Sequence, residues 1–209
     1  MLKYLIILLD DTSVSFCHYV NVKKGKRLIT IDHLKEGILF AMKQNLMIQF
    51  VYPEYELPQE YKEIIHSVNH CKIVPHGSGE RGDVLVLNGW DDFNKSIWES
   101  GLTYVLRTSK RDFFDRYAEL KRVYGQISRL NIVMTDVDSF VAEDFEKYKV
   151  CLSVLAKELE KVYVEGLSFQ LNLLTDRMML SSMNNCNAGW EHITLAPDGN
   201  FYICPAFYL

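Results

Sequence analysis

The chain has 209 residues, 48% of them apolar, and a formal net charge of −4 at pH 7. That length and composition fit one domain, or one domain and a fragment, with enough apolar side chain for an ordinary core. The acidic balance excludes nucleic acid as the main partner, because phosphate binding draws on a basic surface.

The first apolar run, Tyr4 to Leu9, reads as a buried strand and is closed by Asp10-Asp11. It is too short and too soon acidic for a signal peptide, and no later stretch is long enough to span a membrane. Five cysteines, an odd number scattered through a globular composition, point to reduced thiols in a cytoplasmic protein. The run Lys23-Lys24-Gly25-Lys26-Arg27 reads as a solvated loop, with contact to an acidic leader peptide as the alternative.

Thr30 or Asp32 caps a helix whose apolar face is Leu34, Ile38, Ala41 and Met42. Met47 to Val51 is the next strand, Gln59 to Val68 a helix, and Val84 to Leu87 a third buried strand. A short helix over Asp92 to Glu99 and a strand over Thr103 to Leu106 come next. Ser109 then caps a helix with Phe113, Tyr117, Leu120 and Tyr124 on one face. Asn131 to Met134 is a fifth strand. The long helix behind it carries Phe145, Tyr148, Leu152, Leu155, Leu159 and Val162 at three-four spacing, and Phe169 to Leu174 is a candidate sixth strand. Such alternation predicts the α/β class, with parallel strands joined by crossover helices. With about five or six strands, it fits a partial, open β/α barrel better than a full eight-fold one. The boundaries are residues 1–175 for the barrel and 176–209 for a C-terminal extension.

In parallel α/β folds, chemistry collects at the carboxyl ends of the strands. Those ends are acidic here: Asp10 and Asp11, Glu54 and Glu56, Asp91 and Asp92, Asp136 and Asp138. Such a ring suits a cationic peptide or a hard cation, while plain solvated turns are the other reading. Asp10, Asp11, Cys17 and Glu54 are the candidate catalytic residues. Cys71 and Cys151 lack any motif and read as core or boundary thiols. His66, His70 and Cys71 form a weaker candidate metal cluster.

The C-terminal stretch carries the strongest pattern. Twelve residues separate Cys186 from Gly199, and four separate Gly199 from Cys204. Between the cysteines lies a hairpin: a strand from His192 to Ala196, a Pro197-Asp198-Gly199 turn, and a strand from Asn200 to Ile203. Cysteines at both bases of a hairpin are candidate ligands for a soft metal or an iron–sulfur cluster. Two thiolates alone do not complete a four-ligand site.

This spacing resembles the opening of a SPASM domain, the cysteine-rich extension behind the barrel of radical-SAM peptide-modifying enzymes. The whole chain resembles the CXXX-repeat peptide maturases of gut Bacteroidetes, a related family. The residues carrying that resemblance are Leu5 to Tyr19, Gly37 to Met42, Met47 to Pro53 and Cys186 to Tyr208. The resemblance implies a radical-SAM-like barrel with an incomplete SPASM-type extension. It implies, as a partner, a small ribosomally made peptide whose cysteines recur every fourth residue. Cys186 and Cys204 would hold an auxiliary [4Fe-4S] cluster completed by cysteines further on, with structural zinc as the alternative.

The same resemblance bears on the loop after the first strand. A radical-SAM enzyme has Cys-x3-Cys-x2-Cys there. With Cys17 as the third position, the other two are Asp10 and Val14. Tyr52-Pro53-Glu54-Tyr55 stands where a Gly-Gly-Glu-Pro stretch is expected. The departure argues against S-adenosylmethionine chemistry and leaves peptide binding intact. The readings are therefore a peptide maturase, a non-catalytic precursor-binding module, and a zinc-bound structural protein.

Overall fold

The computed structural model describes residues 1–14, 25–178 and 186–208. The chain is α/β with mostly parallel strands, and it divides into two compact units, Met1–Val86 with Asn184–Leu209 and Leu87–Met183.

In the first unit the strands are β1 (Tyr4–Leu8), β2 (Met47–Val51), β3 (His70–Pro75), β4 (Val84–Asn88, which runs into the second unit), β8 (His192–Leu195) and β9 (Phe201–Tyr202). Their order is β9-β8-β1-β2-β3-β4. All pairings are parallel except β8 with β9. The hairpin therefore does not stand apart from the strands of this unit. Its first strand lies beside β1, with Tyr4 opposite His192 and Ile7 opposite Leu195.

Two helices cover one face. α1 (Ile31–Lys43) starts at Thr30, whose hydroxyl accepts from the His33 N–H at 3.2 Å, so Thr30 and not Asp32 is the cap. It ends before Asn45, a residue that tolerates its φ of 53°. Leu34, Ile38 and Ala41 are buried as the spacing predicts, but Met42 is 62% exposed. Gly37 sits where α1 crosses β8, and a Cβ there would strike the Leu195 side chain. α2 is Gln59–His66. The core beneath these helices joins Leu5, Ile7, Leu9, Ile48, Phe50 and Leu195. Each such side chain contributes about 1.5–3 kcal/mol on burial.

The second unit holds β5 (Thr103–Thr108), β6 (Arg129–Met134) and β7 (Gln170–Leu171), all parallel in the order β7-β6-β5. Its helices are α3 (Trp90–Lys95), α4 (Lys110–Arg116), α5 (Ala142–Val164) and α6 (Thr175–Met178). Ser109 caps α4 as expected, accepting from the Asp112 N–H at 3.1 Å. The predicted face from Phe113 to Tyr124 continues as a 3₁₀ turn over Tyr117–Val123. α5 buries Cys151, Leu155, Leu159 and Val162, while Phe145, at the start of the predicted stripe, is 51% exposed. β3 is a strand that the sequence pattern does not mark, and β7 spans two residues where the pattern predicts Phe169 to Leu174. Among the described residues, no helix is long and apolar enough to cross a membrane.

Candidate functional site

Near the carboxyl end of β1 lie Asp10, Asp11, Tyr55 and Tyr208. Residues 27–29 fold back along this end: the Ile29 N–H donates to the Leu9 carbonyl at 2.8 Å, and the Asp11 N–H to the Arg27 carbonyl at 3.1 Å. Asp10 and Leu28 form an antiparallel bridge. The end of the basic run thereby comes against the two aspartates. Lys23 and Lys24 lie outside the described residues, as does Cys17.

Asp10 is wholly buried. Its Oδ1 accepts from the Thr12 backbone N–H at 2.8 Å and the Thr12 hydroxyl at 2.7 Å. Its Oδ2 accepts from the Tyr55 hydroxyl at 2.8 Å. The backbone is held as well: the Asp10 N–H donates to Ser13 Oγ, whose hydroxyl donates to the Val51 carbonyl at 2.8 Å. A carboxylate with every oxygen engaged has its cost of burial offset. It is a fixed scaffold and not a free base.

Asp11 is half-buried, and its Oδ1 accepts from the Tyr208 hydroxyl at 2.6 Å. The Tyr208 and Tyr202 rings meet edge-on at 5.4 Å. The Tyr202 hydroxyl donates to Asp198 Oδ2 at 2.7 Å. Lys26 Nζ lies 5.5 Å from the centroid of the Tyr55 ring. Burial first, then the hydrogen bond to a carboxylate, pushes the Tyr55 and Tyr208 phenols up from 10.0. Both are protonated donors at neutral pH. Burial works against the Asp198 carboxylate, but hydrogen bonds from Tyr202 and Asn200 outweigh it and hold the group below its ordinary value.

These Asp–Tyr pairs suit recognition of a polar, extended ligand more than proton transfer. The Tyr55, Tyr202 and Tyr208 hydroxyls each donate to a carboxylate. Tyr55, Tyr202, Asp198 and Tyr208 were not singled out in the sequence. Asp198 and Tyr202 flank the hairpin turn and carried a local signal. Tyr208 reaches Asp11 across 197 positions and carried none.

Glu54 is exposed. Glu56 pairs with Lys62 at 2.7 Å, and Lys62 with Glu80 at 3.0 Å. In the second unit, Asp92 accepts from the Asn88 N–H and Asp136 from the Lys110 N–H, each at 2.8 Å. Asp91 and Asp138 are exposed.

Cys186 is exposed and Cys204 is 7% exposed, and neither is joined in a disulfide. Cys204 Sγ accepts from the Ala206 N–H at 3.3 Å. The turn after Cys186 packs toward its partner strand: a Cβ on Gly189 would lie 3.1 Å from Ile203 Cγ2. Among the described residues, no group of three His, Cys, Asp or Glu side chains could hold a metal ion. The described residues therefore do not by themselves fit a [4Fe-4S] cluster or zinc. Nor does the loop fit a radical-SAM cluster, since the Asp10 oxygens are taken and Val14 is apolar.

The His66 and His70 rings stack at 6.1 Å, but His66 Nε2 is bound to Lys72 Nζ and His70 Nδ1 to the Val68 carbonyl, both at 2.8 Å. Burial, with Asp83 adding to it, pushes the Cys71 thiol up to about 11. These three do not form a ligand set.

The sequence matches no protein-family model and no curated protein.

Proposed function

We propose that this protein binds a small, ribosomally made cysteine-repeat peptide and takes part in its maturation. The observation that carries the reading is the pairing of β8 with β1. It sets the cysteine-bearing hairpin beside the strand whose carboxyl end holds Asp10 and Asp11. In the maturases that the chain resembles, the mouth of a radical-SAM-like barrel and the SPASM-type extension serve one peptide. Parallel strands with helical crossovers support a partial barrel of that kind, and reduced thiols support a cytoplasmic setting.

Among the described residues no group of three possible metal ligands completes a cluster site. The committed oxygens of Asp10 and the protonated phenols around it favour, as a second reading, a module that presents the peptide to a separate enzyme.

Calorimetric titration with a synthetic peptide of repeating Cys-x3 units tests the proposal. Binding that weakens in Asp11→Ala and is lost for a peptide with its cysteines replaced by serine supports it. Absence of binding to the whole protein overturns it. Iron, sulfide and zinc measured beside a Cys186→Ala/Cys204→Ala variant separate the cofactor readings. Iron with sulfide that falls in the variant favours the maturase. Zinc alone favours the structural site, and neither favours the presenting module.

A further inference from the structure

In the second unit, α4 and α5 enclose a cleft of about 490 Å³, a volume that takes a small organic molecule. Phe114, Tyr117, Val150 and Cys151 line its apolar part. Burial pushes the Cys151 thiol up, so it serves as packing surface and not as a nucleophile.

The charged part is asymmetric. Lys110 is committed: its Nζ lies 2.7 Å from Asp144 Oδ2 and 2.6 Å from the Ser139 carbonyl oxygen. With the bond from its N–H to Asp136, Lys110 joins the carboxyl end of β5 to the segments that come after β6. That is the end of a parallel α/β unit where ligands collect. Arg111 and Lys147 also line the cleft and are exposed, and among the described residues no ion pair holds either. The one further carboxylate, Asp115, is exposed and likewise has no ion pair among the described residues. With Lys110 and Asp144 cancelling, the lining keeps one positive charge in a chain of net −4.

We propose that this cleft binds a small molecule with an apolar body and a single carboxylate. Arg111 and Lys147 hold the head, and Phe114, Tyr117 and Val150 cover the body. A cationic head would meet Arg111 and Lys147, which outnumber the remaining carboxylate Asp115, and a neutral head would forgo their attraction.

Decanoate is the probe, with decanol and decylammonium as neutral and cationic counterparts, each titrated into the whole chain and followed by amide chemical shifts. Decanoate is expected to bind about tenfold more tightly than decanol, with the preference shrinking at high salt. The shifts are expected on α4 and α5. Arg111→Ala/Lys147→Ala should erase the preference while leaving the remaining amide spectrum unchanged. The comparison of the three probes on the unaltered chain needs no variant. Equal or tighter binding of decanol or decylammonium, shifts confined elsewhere, or no binding of any probe would overturn the proposal.

Discussion

Tyr208 donates a 2.6 Å hydrogen bond to Asp11, and so ties the C-terminal stretch to the end of the first strand across 197 positions. The tie adds a side-chain link to the β1–β8 pairing. Tyr208 is 5% exposed, so the bond is largely shielded from water.

Removing that hydroxyl tests the tie. Tyr208→Phe keeps the ring against Tyr202 and leaves Asp11 without its donor. A loss of about 1–2 kcal/mol in urea unfolding is expected, since a bond to a charged acceptor is worth more than a neutral one. An unchanged urea midpoint would show that the C-terminal stretch is held by other contacts.

Tyr55 and Tyr208 also contribute to stability at alkaline pH. Folding raises the Tyr55 and Tyr208 phenols above 10.0, first through burial and then through Asp10 and Asp11. A group raised on folding contributes stability that is fully present below its unfolded value and is lost as pH rises beyond it. The share of stability that these two phenols supply should therefore hold to about pH 10 and fall above it. The fall should be shallower in Tyr55→Phe/Tyr208→Phe, as read from thermal midpoints across that range.

Asp10 is predicted to hold the architecture and not to contact ligand. Asp10→Ala strands the Tyr55 hydroxyl and two Thr12 donors, at an expected cost of about 2–4 kcal/mol. Asp10→Asn keeps an acceptor for part of that set and should cost less. Peptide affinity in the folded Asp10→Asn protein should match the unaltered chain, in contrast to Asp11→Ala. A large affinity loss in Asp10→Asn would place the buried carboxylate in the binding surface.

The hairpin turn rests on one glycine. Gly199 has φ of 83°, and a Cβ there would collide with the His33 imidazole in the first turn of α1. Gly199→Ala carries both a conformational and a steric penalty, about 1–3 kcal/mol together. His33→Ala in the same chain should recover the steric part and leave the φ penalty. A double-mutant cycle on unfolding free energies separates them. No recovery would mean that the turn moves away from α1 instead of compressing it.

Local patterns announced local structure. Tyr4–Leu8 is a continuous apolar run, Thr30 and Ser109 are caps, and Asp198-Gly199 is a turn, each visible within a few residues. β3 escaped because His-Cys-Lys-Ile-Val-Pro opens with half-buried residues and closes on proline, so neither alternation nor a full apolar run marks it. Strand order is not local at all. Nothing near Tyr4 announces His192 as its neighbour, and the pairs Asp11–Tyr208 and Asp10–Tyr55 depend on that order and on loop paths. The aspartates could be picked out because strand ends are functional in this class. The tyrosines that engage them could not.

The thiols should separate by burial, and the separation bears on the metal readings. Alkylation requires an accessible thiolate. Cys186 is exposed, whereas Cys204 and Cys151 are 7% and 4% exposed. Cys71 is half-buried and pushed up to about 11. Iodoacetamide should therefore label Cys186 more than about tenfold faster than these three, as read by peptide mass mapping. Cys186→Ser should remove that fast site. Zinc added beforehand should leave the Cys186 rate unchanged, because no group of three possible metal ligands is found among the described residues. Joint protection of Cys186 and Cys204 by zinc would reverse that inference: the two thiols would then close on one ion, with the remaining ligands coming from outside the described residues.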